Sequence, residues 1–210
     1  MSRELRKFAI FASGSGSNAQ VLFERVADGT IPGEVACLVC DRPSAGVIER
    51  AEKAGVDALV YRPREFADKA AYEAQVVADL QARGVEFVVL AGYMRLCGPT
   101  FLAAYGGRTI NVHPSLLPMF PGATAIQDAF DAGVKYTGVT VHFIDEGMDT
   151  GPIIRQETVH VEANDTMESL SQKIHAVEHQ ILPEVTRALV SGELRMSQGQ
   201  AIFTSGGMQA

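Results

Sequence analysis

At 210 residues the chain can bury a sizeable core without disulfide or metal staples, and 47% hydrophobic with 20% charged residues at a mean hydropathy of +0.08 describes a globular protein, not a disordered one. A net charge of -7 and a pI near 5.2 exclude the basic footprint that a nucleic-acid backbone or an anionic membrane would require. Residues 1–7 are polar and the apolar run after them has only strand length, so neither a signal peptide nor a membrane span is expected, and three cysteines suit a reducing, cytoplasmic setting.

Residues 7–13 form an apolar run without helical period, followed by the small-residue loop 13–17 and a helical pattern over 18–27. That is strand, glycine-rich turn, helix. A second strand is predicted over 35–40, a helix over 45–53 closed by Gly55, and a short third strand over 58–61. The spacing then predicts a long helix over 65–82 ending at Gly84, and the continuous apolar run 85–91 suits a central parallel strand. Tyr93, Met94, Arg95 and Leu96 follow, then a short helix opened by Pro99 and a fifth strand beginning at Thr109.

A loop rich in Pro and Gly, 114–122, leads to a helix near 124–132. Strands over 138–145 and 152–161 are joined by a turn too short for a crossover helix, so they should pair antiparallel. Residues 166–190 read as a long amphipathic helix with Leu170, Ile174, Val177, Ile181 and Val185 on one face, interrupted or kinked at Pro183. A short edge strand is expected over 201–204. The alternation implies an α/β fold: an open, mostly parallel twisted sheet with helices on both faces and antiparallel strands near the C-terminal part. The expected organisation is a single domain over 1–190, with an N-terminal half over 7–105, a C-terminal half over 106–190, and a tail over 191–210.

Four constellations carry chemistry. Ser13-Gly14-Ser15-Gly16-Ser17-Asn18 lies between a strand and a helix, where unpaired backbone N–H groups and the helix dipole favour an anion such as a phosphate. Gly14, Gly16 and Ala19 also satisfy G-x-G-x-x-A, with Asp41 ending the second strand where a dinucleotide-binding protein would hold ribose; a dinucleotide-sensing module is the non-enzyme alternative. His175 to His179 match H-x-x-E-H, but a third zinc ligand is missing nearby, and a helix face bordering a polar site explains the pattern without metal. Cys37 and Cys40 spell C-x-x-C inside a strand, where residues three apart face opposite sides, so they read as core thiols. His142 and His160 read as packing or surface residues.

The fourth constellation is Thr109-Ile110-Asn111-Val112-His113-Pro114. Alternate strand residues share a face, so Asn111 and His113 point one way and Val112 the other, and Pro114 ends the strand. Two polar side chains at a strand's carboxyl end occupy the usual ligand position of an open α/β sheet. Asp149, in M-D-T-G-P between the next two strands, is placed to meet that pair. No Ser or Cys stands where a nucleophile would, so the trio suits direct transfer between two bound substrates.

I-N-V-H-P-S-L-L-P followed by Asp149 in D-T-G-P-I-I, 36 positions after His113 (149 − 113), resembles the folate-dependent formyltransferases, and S-G-S-G-S-N and A-G-Y-M-R-L extend the resemblance from about residue 7 to residue 190. The resemblance implies a formyl transfer from 10-formyltetrahydrofolate as co-substrate, without metal or NAD, to the amine of glycinamide ribonucleotide; a formyltetrahydrofolate deformylase or another folate formyltransferase is the alternative. It implies Asn111, His113 and Asp149 as catalytic residues. Ser15, Gly16, Ser17, Asn18, Pro114 and Glu178 would hold the ribonucleotide, and Met94, Arg95, Leu96, Val141, Phe143, Asp145 and Gly147 the folate. Small molecules would be the only substrates, with no nucleic acid or membrane partner, and the protein would be a monomer or homodimer.

For that chemistry, an Asn amide and a protonated His are donors suited to the oxyanion of a tetrahedral intermediate. The Asp carboxylate would stabilise the imidazolium and, through water, help move the amine proton. Residues 117–122, fixed by two prolines and ended by glycine, would form a mobile cover that limits hydrolysis.

Overall fold

In the computed structural model, which describes residues 5–204, the first apolar run becomes strand β1, Arg6–Phe11. Its residues alternate between two cores: Phe8 and Ile10 enter one layer, Ala9 and Phe11 the other. Both faces are therefore covered, which is why the run carries no polar residue after Lys7. Around it stand β2 (Gly33–Cys40), β3 (Ala58–Val60), β4 (Phe87–Leu90) and β5 (Thr109–His113), all parallel, then β6 (Tyr136–Phe143) and β7 (Ile153–His160), each antiparallel to its predecessor. The seven-stranded order is β3-β2-β1-β4-β5-β6-β7.

The larger core packs helices α1 (Ser17–Ala27), α2 (Val47–Lys53), α5 (Ala125–Asp131) and α6 (Met167–Ser191) on one face of the sheet. On the other, α3 (Lys69–Ala82) and α4 (Pro99–Tyr105) contribute Tyr72, Val76, Leu80, Phe101 and Tyr105. Cys37 belongs to the second core and Cys40 to the first, so the C-x-x-C pair is split between layers. Burial pushes the Cys37 thiol up to about 11.

Three element predictions need correction. The helix expected over 65–82 starts at Lys69, because Pro63–Glu65 forms a separate 3-10 turn and Asp68 caps α3 by accepting the Ala71 N–H at 2.8 Å. Pro183 does not interrupt α6, which runs unbroken for 25 residues; Pro183 is buried among Ile181, Leu182 and Val185, and that packing offsets the missing backbone bond. Residues 200–203 do not join the main sheet. They form β9 (Gln200–Phe203) of a hairpin with β8 (Leu194–Ser197), closed at Gln198 and Gly199, both with positive φ. Leu194 anchors this hairpin in the larger core.

Glu73 on α3 is 5% exposed and caps α4, accepting the Gly98 N–H at 2.6 Å and the Phe101 N–H at 3.2 Å. It thereby satisfies two of the donors that a helix N-terminus leaves open. Glu73→Ala strands both donors next to the second core and is expected to cost about 2–3 kcal/mol. For a chain of this size that lowers Tm by roughly 5–10 °C, which differential scanning calorimetry reads directly.

Candidate active site

The glycine-rich turn places Gly16 at the N-cap of α1 with φ 79°, and no side chain caps the helix. A Cβ at Gly16 would lie 2.4 Å from Val47 Cγ2 and 2.9 Å from Val47 Cα, so both backbone conformation and space demand glycine there. The N–H groups of the first turn consequently face an open cleft, the arrangement that attracts an anion. Ser15, Gly16, Ser17 and Asn18 all line that cleft. Asn18 also reaches across to α6, donating Nδ2 to Glu178 Oε2 at 2.8 Å, while His175 lies 2.9 Å from the same oxygen through Nδ1.

Glu178 is 3% exposed, and its hydrogen bond holds the His175 pKa above the ordinary histidine value. His175 and Glu178 line the cleft as a pair, and among the described residues no cluster of three or more His, Cys, Asp or Glu could hold a metal ion. The Asp41 carboxylate, the ribose ligand in the dinucleotide reading, accepts the Ser13 hydroxyl at 2.6 Å. Ser13 Oγ in turn accepts the Met94 N–H at 3.0 Å, tying the first loop to the segment after β4.

The cleft encloses about 380 Å³, a size suited to small-molecule substrates. Met94, Arg95 and Leu96 line it, with the apolar side chains of Met94, Leu96 and Met148 exposed nearby. At the carboxyl end of β5, Asn111 and His113 enter it together, followed by Pro114. Asp149 approaches from the β6–β7 loop, with Oδ2 3.5 Å from His113 Nδ1. Its backbone has φ 56°, a conformation in which Asp is among the few non-glycine residues found. The loop is shaped by Asp145, which accepts from Gly147 N at 3.0 Å and Thr150 Oγ1 at 2.7 Å, and by Gly151, where a Cβ would lie 1.9 Å from the Phe143 carbonyl oxygen. Asp145 and Gly147 both line the cleft.

Two expected folate residues do not line the cleft. Val141 and Phe143 are fully buried in the larger core with Val139, on the face of β6 turned away from the cleft. The alternation of β6 instead delivers His142, with Ile144 beyond the strand end, to the site. The sequence pattern alone reads His142 as a packing or surface residue. It pairs across the ladder with Asn111, whose Nδ2 is 3.2 Å from His142 Nε2, and that Nε2 is 3.8 Å from Asp149 Oδ1. The signal was present in Val139, Val141 and Phe143, which mark the core face of the strand and leave position 142 on the other.

The loop expected as a mobile cover has several anchors. Ser115 Oγ donates to the Met119 carbonyl at 2.6 Å, Leu117 N donates to Thr140 Oγ1 at 3.1 Å, and Gln156 donates to the Leu117 carbonyl at 2.9 Å. Its far end meets the catalytic candidates, where His113 Nε2 lies 2.8 Å from the Phe120 carbonyl oxygen and Gly122 N donates to Asp149 Oδ2 at 2.8 Å. The Phe120 carbonyl can only accept, so His113 Nε2 carries a proton committed to the loop.

A protein-family model described as formyl transferase matches residues 6–186. Phosphoribosylglycinamide formyltransferase of Bacillus subtilis (strain 168) is 48% identical over 186 residues, covering 89% of this chain and 95% of that protein. The trifunctional purine biosynthetic protein adenosine-3 of Drosophila melanogaster is 38% identical over 199 residues, 94% of this chain and 15% of its own length. Among solved structures, glycinamide ribonucleotide transformylase 1 from Symbiobacterium toebii aligns with a TM-score of 0.92 at 42% identity, covering 98% of this chain and 96% of that one. Phosphoribosylglycinamide formyltransferase from Bacillus halodurans aligns with a TM-score of 0.86 at 52% identity, covering 89% and 96%. A match over nearly the whole sheet, together with this identity to full-length relatives, establishes that the chain belongs to the formyl transferase family.

Proposed function

We propose that this formyltransferase moves a formyl group from 10-formyltetrahydrofolate to the primary amine of glycinamide ribonucleotide, a step of purine biosynthesis. The observation that carries the reading is one continuous cleft holding an uncapped helix N-terminus, the Asn111–His113–Asp149 group and the Met94–Leu96 segment. The acceptor's phosphate rests on the α1 N-terminus, with Asn18 and Glu178 facing its sugar and glycinamide portions. Donor folate lies against Met94, Arg95, Leu96 and the 144–148 loop.

Proximity of the bound amine and formyl carbon supplies much of the rate. As the amine attacks, charge collects on the formyl oxygen, and an amide N–H of Asn111 is directed at it. His113 becomes the second donor when its Nε2 proton exchanges the Phe120 carbonyl for the oxyanion. The Asp149 carboxylate beside Nδ1 stabilises the doubly protonated ring, and through water it moves the amine proton toward the departing folate nitrogen. The test follows folate release from 10-formyltetrahydrofolate with and without glycinamide ribonucleotide. Release that depends on the amine is expected; release at the same rate without it makes the protein a deformylase.

A further inference from the structure

His142 sits on β6 directly opposite Asn111 on β5, 1% exposed, with its ring at the wall of the cleft. Its Nδ1 lies 2.8 Å from the Phe143 carbonyl oxygen. A carbonyl can only accept, so Nδ1 carries the hydrogen. Burial keeps the His142 pKa below the ordinary histidine value, which favours the singly protonated ring. Its Nε2 is then a bare acceptor, 3.2 Å from the Asn111 amide nitrogen. The end of Asn111 that meets this acceptor has to be its NH₂ group, and an NH₂ has two hydrogens.

We propose that His142 is a positioning residue for formyl transfer: it accepts one amide hydrogen of Asn111 on Nε2 and thereby aims the other at the reacting carbonyl oxygen. The proposal rests on the formyl-transfer reading for its kinetic consequence, and on the ring geometry for the tautomer. Without the acceptor at Nε2, the Asn111 amide is free to rotate by half a turn and present its own oxygen to the developing oxyanion, replacing attraction by repulsion. The neighbouring charges have the same requirement. Asp149 Oδ1 is 3.8 Å from Nε2, so a second proton on His142 would be drawn to that carboxylate, turning Asn111 away and competing with His113 for Asp149. His113 and Asp145 are the other titratable groups acting on the ring.

The test combines substitution, a double-mutant cycle and a spectrum. His142→Leu keeps the volume but removes the acceptor, and kcat is expected to fall about 10²-fold, the scale of a misplaced catalytic group, with both KM values little changed. His142→Gln brings an amide oxygen to the Nε2 position and should recover most of that loss. In an Asn111→Ala background, His142→Leu should cost almost nothing more, because its effect passes through Asn111. Nitrogen-15 NMR of the histidine rings in the wild-type protein should show His142 protonated on Nδ1 alone. Additive losses, a Gln variant as slow as the Leu variant, or an Nε2-protonated ring would each overturn the proposal. The spectrum needs no turnover, so it decides the tautomer even if the glycinamide ribonucleotide assay fails or the Leu variant does not fold.

Discussion

Asp149→Asn is expected to fold and to bind glycinamide ribonucleotide while turnover falls by about 10²- to 10⁴-fold, the range that proton transfer by a placed side chain contributes. The structure explains why the fold should survive. Asn adopts the positive φ of 56° at this position as readily as Asp does, and its side-chain oxygen can still accept the Gly122 N–H. What disappears is the negative charge 3.5 Å from His113 Nδ1. In the proposed mechanism the His113 ring would then lose its partner and the amine proton its route. Circular dichroism, calorimetric titration with the ribonucleotide and steady-state rates separate these effects; wild-type turnover in a folded variant would remove Asp149 from the mechanism.

Asn111→Ala should lower kcat by about 10²- to 10³-fold, the usual cost of one oxyanion donor. Substrate binding should change little, because the amide bond matters most once charge has developed on the formyl oxygen. The strand itself is held by ladder bonds to β4 and β6 that the substitution leaves in place. A rise in KM with kcat intact would instead assign Asn111 to ground-state binding.

Much of the sheet was legible because strands covered on both faces must be apolar without interruption, as in residues 8–12 and 87–91. The polar pair on β5 was legible for the opposite reason: Asn111 and His113 break that rule at one strand end and on one face. Val141 and Phe143 were carried over as folate residues from the family resemblance, whereas the parity of β6 puts their side chains with Val139 in the core. His142 needed one more fact, its register opposite Asn111, which depends on the pairing of two strands and not on either alone. The effect of Pro183 was also a tertiary matter, since the burial around it decides whether a proline breaks a helix. Of the final hairpin only the strand near 201–204 was expected; β8 escaped because it is four residues long and the turn, Gln198-Gly199, gives a weak signal.

The bond from Asn18 to Glu178 spans 160 positions and has a consequence for how the protein is made. On the ribosome, the segment that carries Asn18 emerges well before the helix that carries Glu178. Before α6 arrives, the layer it will close with Leu170, Ile174, Ile181 and Val185 still faces water, whereas the layer beneath α3 and α4 already has all its elements. A nascent chain can therefore assemble one half of the sandwich before the Asn18–Glu178 bond can form. A ligand that needed both side chains would stabilise only chains in which α6 has already docked.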